Sequence, residues 1–328
     1  MLSRLSLATT VLAFAVVVMG AYVRLSDAGL GCPDWPGCYG RLAVPEHHEV
    51  QASHPGHTLD APKAWKEMIH RYLAATLGLF ILVLAFLSLK EKRPEIALRK
   101  LSWFLVLLVV FQALLGRYTV TLKLHPFVVM AHLIGGFTTF SLLGWATLRR
   151  LRVFESTDGN TDQASVKSAW IYSALVLLIL QILLGGWMSA NYASLACPDF
   201  PTCQGHLWPP MDFGQAFTLW RETGTNYEGG VLDNPSRIAI HWMHRMGAVV
   251  VFLGIGALGL RAFLRGKGPL RTVGALLLGL LTLQIALGIS NVVLKLPLGM
   301  ATAHNGTAAL LLLTLLALRQ ALPERSST

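Results

Sequence analysis

Four histidines stand out for where they lie. His70 and His244, each followed by an arginine (Arg71, Arg245), and His132 and His304 all fall inside long apolar runs. A polar side chain in such a run is costly and marks function by default. A lone histidine is satisfied by a hydrogen bond to a neighbouring helix, but four at matched depth, in two repeated pairs, point to ligation. One imidazole from each of two facing helices suits axial ligation of a haem iron in a bundle interior. Zinc asks for three or four ligands in closer array, and the one carboxylate at that depth is Glu67. The reading is two haem sites, His70 with His132 and His244 with His304; a His70–His304 pairing is the alternative that spacing leaves open.

Glu67 precedes His70 by three residues, so on a helix the two share a face. The matching position of the other pair is His241, which supplies no carboxylate and reads as a hydrogen-bond partner of His244. An electron carrier has little use for an acid beside one haem, whereas an enzyme needs one reactive site. Glu67 would accept a proton or stabilise positive charge on an oxidised substrate, the alternative being an interfacial carboxylate near Lys66. Arg71, Arg245, Lys123 and Lys295, at the ends of the same runs, are candidates for pairing with haem propionates, against the alternative of snorkelling to lipid headgroups. His47, His48, His54, His57, His125 and His206 lie between runs and read as solvated imidazoles.

All four cysteines belong to two copies of C-P-D-[WF]-P-x-C. In an oxidising compartment this spacing favours disulfides within each loop, Cys32–Cys38 and Cys197–Cys203, with stapling and thiol exchange as the two roles.

The elements that must carry these residues are membrane spans. Of 328 residues, 54% are hydrophobic and 13% charged, too apolar for a soluble domain of this length. A bilayer core needs about 20 apolar residues per helix, and eight runs qualify: 5–24, 67–89, 101–122, 127–148, 168–190, 236–260, 272–293 and 298–318. Basic residues crowd the connections at 90–100, 149–167 and 261–271, which places these and both termini in the cytoplasm and the cysteine loops, 25–66 and 191–235, outside. The net charge of +10 then reflects topology and contact with anionic membrane lipid, not nucleic-acid binding. The chain also repeats itself. GAYVRLSDAGLGCPDWPGCYG returns as GGWMSANYASLACPDFPTCQG, and Gln112 and Gln284 each stand twenty residues before a histidine, His132 and His304. The fold expected is an all-α integral membrane protein of eight helices in two tandem, parallel four-helix bundles, 1–150 and 151–328, related by a pseudo-twofold axis along the membrane normal. The polar tract FESTDGNTDQASVK links them.

The E-x-x-H-R at Glu67 to Arg71, the H-R at His244, the histidines of the fourth and eighth runs and the C-x5-C loops together resemble the bacterial haem A synthase family over nearly the whole chain. The resemblance implies oxidation of the C8 methyl of haem O to a formyl with water-derived oxygen. It implies haem O held by His70 and His132, a catalytic Glu67, and a haem b cofactor on His244 and His304. It ties the Cys32–Cys38 disulfide to activity or haem transfer. The implied setting is the bacterial inner membrane, with haem O synthase upstream, a haem A-containing cytochrome oxidase downstream, and an electron acceptor. The competing reading is a dihaem b-type electron-transfer protein.

Overall fold

A computed structural model describes residues 2–53, 56, 58–90, 96–154 and 166–322. His54, His57 and most of the tract between the halves lie outside the described residues.

Ten helices follow one another: α1 Leu2–Leu25, α2 His47–Ser53, α3 Ala61–Leu89, α4 Ile96–Thr121, α5 Pro126–Leu151, α6 Ser168–Ala190, α7 Phe213–Ala216, α8 Asn234–Arg265, α9 Gly268–Val293 and α10 Leu298–Gln320. All but α2 and α7 are long and apolar enough to cross a membrane, so the eight expected runs correspond to eight helices. Their ends extend past the apolar stretch where local chemistry allows. Asp60 caps α3 by accepting from the Lys63 amide at 3.1 Å, and Asp233 caps α8 by accepting from the Ser236 amide at 3.1 Å. Each satisfies an amide that the first helical turn leaves without a partner. α2 and α7, both inside the long loops, are too short and polar to register as hydrophobic periodicity.

The packing neighbours repeat. α1 contacts α3 and α5, and α4 contacts α3 and α5; in the same way α6 contacts α8 and α10, and α9 contacts α8 and α10. Between halves α1 meets α10, α6 meets α5, and α5 meets α10. Exchanging the halves maps this set onto itself, so α5 and α10 occupy the middle of the molecule. They are also the most buried of the long helices. One continuous apolar core runs through both halves, with Phe140 and Leu143 of α5 and Leu311 and Leu315 of α10 among its members.

Repeated sequence gives repeated turns. Leu122-Lys123-Leu124 and Leu294-Lys295-Leu296 close α4 and α9 with two consecutive left-handed residues each, φ 49° and 60° in one, 56° and 63° in the other. The Leu124 amide donates to Thr119 O at 2.8 Å and the Leu296 amide to Asn291 O at 2.7 Å, satisfying terminal carbonyls.

The halves are also joined at the loop-bearing end. Arg24 of α1 stacks on the Tyr192 ring at 4.1 Å and donates to Ser189 O at 2.5 Å. The loop after α7 reaches across to the α4–α5 turn, where the Tyr227 amide donates to Lys123 O at 3.0 Å and Lys123 Nζ to Gly224 O at 3.3 Å. His125 lies beneath this loop. It is 0% exposed, 3.2 Å from Arg221 O through Nε2, with its ring 4.6 Å from Trp220 and 5.2 Å from Tyr227. The expectation of a solvated His125 is therefore corrected: a loop from the other half, some hundred residues later in sequence, covers it.

Candidate functional site: paired histidines beneath disulfide loops

The four helices that enter from the loop-bearing end carry the histidines within their first turns, nine residues into α3, six into α5, ten into α8 and six into α10. At 1.5 Å per residue these positions are roughly 9–15 Å below the helix ends. In the first half the His70 and His132 rings face each other with centroids 6.5 Å apart and planes at 87°. Two imidazoles bound to one metal from opposite sides, each about 2 Å away, have centroids roughly 6 Å apart. His70 Nδ1 is buried and finds no hydrogen-bond partner among the described residues. No group of three or more His, Cys, Asp or Glu side chains converges on a metal position among the described residues. Two facing imidazoles without a third donor fit a haem iron, whose ring supplies the other ligands, and do not fit zinc.

In the second half His304 Nδ1 lies 3.1 Å from Gln284 O, while Gln284 Nε2 lies 3.2 Å from His304 Nε2. With Nδ1 donating to that carbonyl, Nε2 carries the lone pair, the arrangement by which ligating histidines are oriented. Gln181 of α6 donates to His244 O at 2.9 Å and stands 3.1 Å from His244 Nδ1.

Four glycines that sequence reasoning passed over complete the cradle. A Cβ added at Gly20 would meet His70 Cε1 at 3.0 Å, at Gly185 His244 Cε1 at 3.0 Å, at Gly116 His132 Cε1 at 3.5 Å and at Gly288 His304 Cε1 at 3.1 Å. Each histidine thus packs edge-on against a bare stretch of the neighbouring helix. The signal was present, since Gly20 and Gly185 share the spacing of the cysteine repeat and Gly116 and Gly288 that of His132 on α5 and His304 on α10. A glycine in an apolar helix, however, has many other uses.

Glu67 is 4% exposed, and its carboxylate turns toward the first disulfide loop. Oε2 accepts from the Cys32 amide at 2.9 Å and Oε1 pairs with Arg71 at 2.5 Å. Arg71 Nη1 in turn donates to Asp34 O at 2.9 Å and to Gly37 O. In the second half Arg245 donates to Cys197 O at 2.9 Å, Asp199 O at 2.8 Å and Thr202 O at 2.8 Å. His241, 2% exposed, stands 3.1 Å from Ala193 O and 3.4 Å from the Cys197 amide. The Glu67 and His241 positions thus do one job in common, tying a disulfide loop to the helix that bears a histidine. They differ in that only Glu67 brings a carboxylate.

The loops match in detail. Disulfides join Cys32 to Cys38 and Cys197 to Cys203. The aspartate of each motif brackets the turn, Asp34 accepting from the Tyr39 and Gly40 amides at 2.6 and 2.7 Å, and Asp199 from those of Gln204 and Gly205 at 2.5 and 3.0 Å. Past each disulfide, Leu42 and Leu207 are among the most exposed apolar residues, and their carbonyls are held by Tyr72 Oη at 2.5 Å and Trp242 Nε1 at 3.0 Å.

Comparison with known proteins covers nearly the whole chain. The family model COX15-CtaA, described as cytochrome oxidase assembly protein, matches residues 3–316. A Shewanella oneidensis protein named "Heme A synthase" is 47% identical over 325 residues, covering 98% of this chain and 96% of its own. Proteins of the same name from Nitrosospira multiformis and a Caulobacter species are 30% and 26% identical over 92% and 93% of this chain.

Proposed function

Because this chain belongs to the COX15-CtaA family of cytochrome oxidase assembly proteins, we propose that it is a haem A synthase, an oxidoreductase that converts the C8 methyl of haem O to a formyl. The observation that carries the proposal is 47% identity to a protein of that name along nearly the full length of both, in a chain whose His70–His132 pair has the spacing a haem iron would need.

On this reading His70 and His132 hold the iron of the substrate, haem O, and the first half is the reactive one. His244 and His304 would hold haem b, which when bound supplies a redox centre through which electrons pass to an acceptor. Turning a methyl into a formyl with oxygen from water releases protons as well as electrons. Glu67, one helical turn from His70, is the group that takes them up or steadies positive charge on the substrate. Its ion pair with Arg71 and its bond from the Cys32 amide fix the carboxylate beside the site and place it at the base of the disulfide loop. Propionate pairing by Arg71, Arg245 or Lys123 would compete with the loop carbonyls these side chains already serve, which leaves Lys295 as the fourth candidate. The positive-inside pattern puts both termini in the cytoplasm of a bacterial inner membrane and the disulfide loops on the outer face. The product would pass to a haem A-containing oxidase, and haem O synthase would supply the substrate.

The test is extraction and mass analysis of the haems bound to protein made alongside a source of haem O. The native chain should carry haem b together with haem A or partly oxidised haem O. Glu67→Gln should stall at haem O or a partly oxidised form, with turnover lowered by roughly 100-fold or more. Two haem b per chain in both preparations would instead make the protein a dihaem electron carrier.

A further inference from the structure

His70 and His244 stand at the same place in the repeat, and each packs by its Cε1 edge against a glycine of the first long helix of its half, Gly20 on α1 and Gly185 on α6. One turn away along those helices the halves part. Four residues before Gly185 is Gln181; four residues before Gly20 is Val16. Gln181 Nε2 donates to His244 O at 2.9 Å and stands 3.1 Å from His244 Nδ1, the nearer ring nitrogen, against 3.5 Å from Nε2. A valine offers neither donor nor acceptor, and His70 Nδ1 is buried with no hydrogen-bond partner among the described residues.

A second difference goes with the first. The Gln181 carboxamide fits because Gly247, three residues after His244, has no side chain: a Cβ added there would overlap Gln181 Oε1. The residue three after His70 is Leu73. The second half thus sets a long polar side chain against a glycine, at positions where the first half has a valine and a leucine. His132 and His304 do not divide the halves in this way, since Gln112 and Gln284 precede them by the same twenty residues.

We propose that Gln181 is a positioning residue that makes the second haem site a lasting one, and that Val16 leaves the first site free to exchange. The inference rests on the reading of His70 as a ligand of the substrate and His244 as a ligand of haem b. A histidine that binds iron through Nε2 carries its proton on Nδ1, and an acceptor there orients the ring and makes it a stronger ligand. The Gln181 carboxamide can supply that acceptor. Turned over about its last bond it presents Oε1, which has no partner among the described residues where it now lies. His244 O can release Gln181, because it lies within α8 and has the helix's own amide to accept from. A cofactor that stays through every turnover is served by such a hold. A substrate that arrives as haem O and leaves as haem A requires a weaker one.

The experiment mixes purified full-length protein carrying haem b and haem O with excess apomyoglobin, then separates and times the haems that leave. His70→Ala and His244→Ala assign each haem to its site. Haem b should leave more slowly than haem O. Gln181→Leu, similar in volume, and Gln181→Val with Gly247→Leu, the first half's own combination, should each speed haem b release roughly 10-fold or more. Both should also raise the reduction midpoint of haem b, because a weaker ligand stabilises the ferric iron less, and leave haem O release unchanged. Val16→Gln with Leu73→Gly should slow haem O release, a gain that misfolding cannot mimic. Native release and an unmoved midpoint in Gln181→Leu would overturn the proposal, since the side chain would then only fill space. So would equal acceleration of both haems. If haem b persists at native occupancy in His244→Ala, or haem O in His70→Ala, the assignment of the sites fails and the proposal falls with it.

Discussion

The carbonyl oxygens of the two disulfide loops set what the arginines beside the histidines do. Arg71 and Arg245 each turn a guanidinium, with its fork of donors, onto several loop carbonyls at once. The loop and the histidine-bearing helix therefore move together. The motif aspartates hold the other side of each loop. The Thr202 hydroxyl beside Asp199, with the Gly205 and Gln204 amides, pulls that carboxyl down to about 2. A carboxylate held below its ordinary value stabilises the loop at every pH above that value and loses its effect as pH falls toward the lowered one. Hydrogen-exchange protection of the Gln204 and Gly205 amides should hold from neutral pH to about 4 and fall as pH approaches 2. Asp199→Ala should remove it at neutral pH and speed reduction of Cys197–Cys203 by a phosphine. The histidines, Glu67 and the cysteine pairs were legible from residue type and spacing alone. The direction of the Glu67 carboxylate was not, because helical spacing puts Glu67 and His70 on one face but says nothing of an amide thirty-five residues earlier that the carboxylate accepts.

At the scale of helices, apolar runs gave the eight spans, since a bilayer rewards uninterrupted hydrophobicity and little else competes with it. Boundaries shifted where a cap lay upstream of the apolar stretch, as Asp60 does for α3. Which helices approach most closely depends on small residues whose effect is invisible without the partner helix. At Gly274 it is backbone that comes close, with Phe263 and Ala262 backbone atoms at 2.7 and 2.9 Å from where its Cβ would be. Gly274→Ala should force α8 and α9 apart and cost about 1–3 kcal/mol. This would be seen as a lower thermal midpoint in detergent, with amide exchange rising in α8 and α9 before it rises in α3 and α4.

For the molecule as a whole, the internal repeat predicted two similar halves, and the helix neighbours repeat accordingly. Two departures from that likeness stand out: one turn before the histidine the first half has a carboxylate, Glu67, where the second has His241, and a loop crosses from the second half to the first. The crossing was hidden because residues 191–235 have no periodicity that names a partner, and His125 looked like any loop histidine. Trp220→Ala should uncover it. Diethylpyrocarbonate should then modify His125 in the variant and spare it in the native protein, with His206, exposed in both, as the reference.

Tyr227 reaches Lys123 only after about a hundred further residues of chain have been made. The first four spans therefore enter the bilayer with the α4–α5 turn bare, and it is roofed once α6 and the loop beyond α7 have followed. Translation itself sets a clock on that turn, with an early interval in which the first bundle stands open there and a later one in which its own C-terminal twin has closed it.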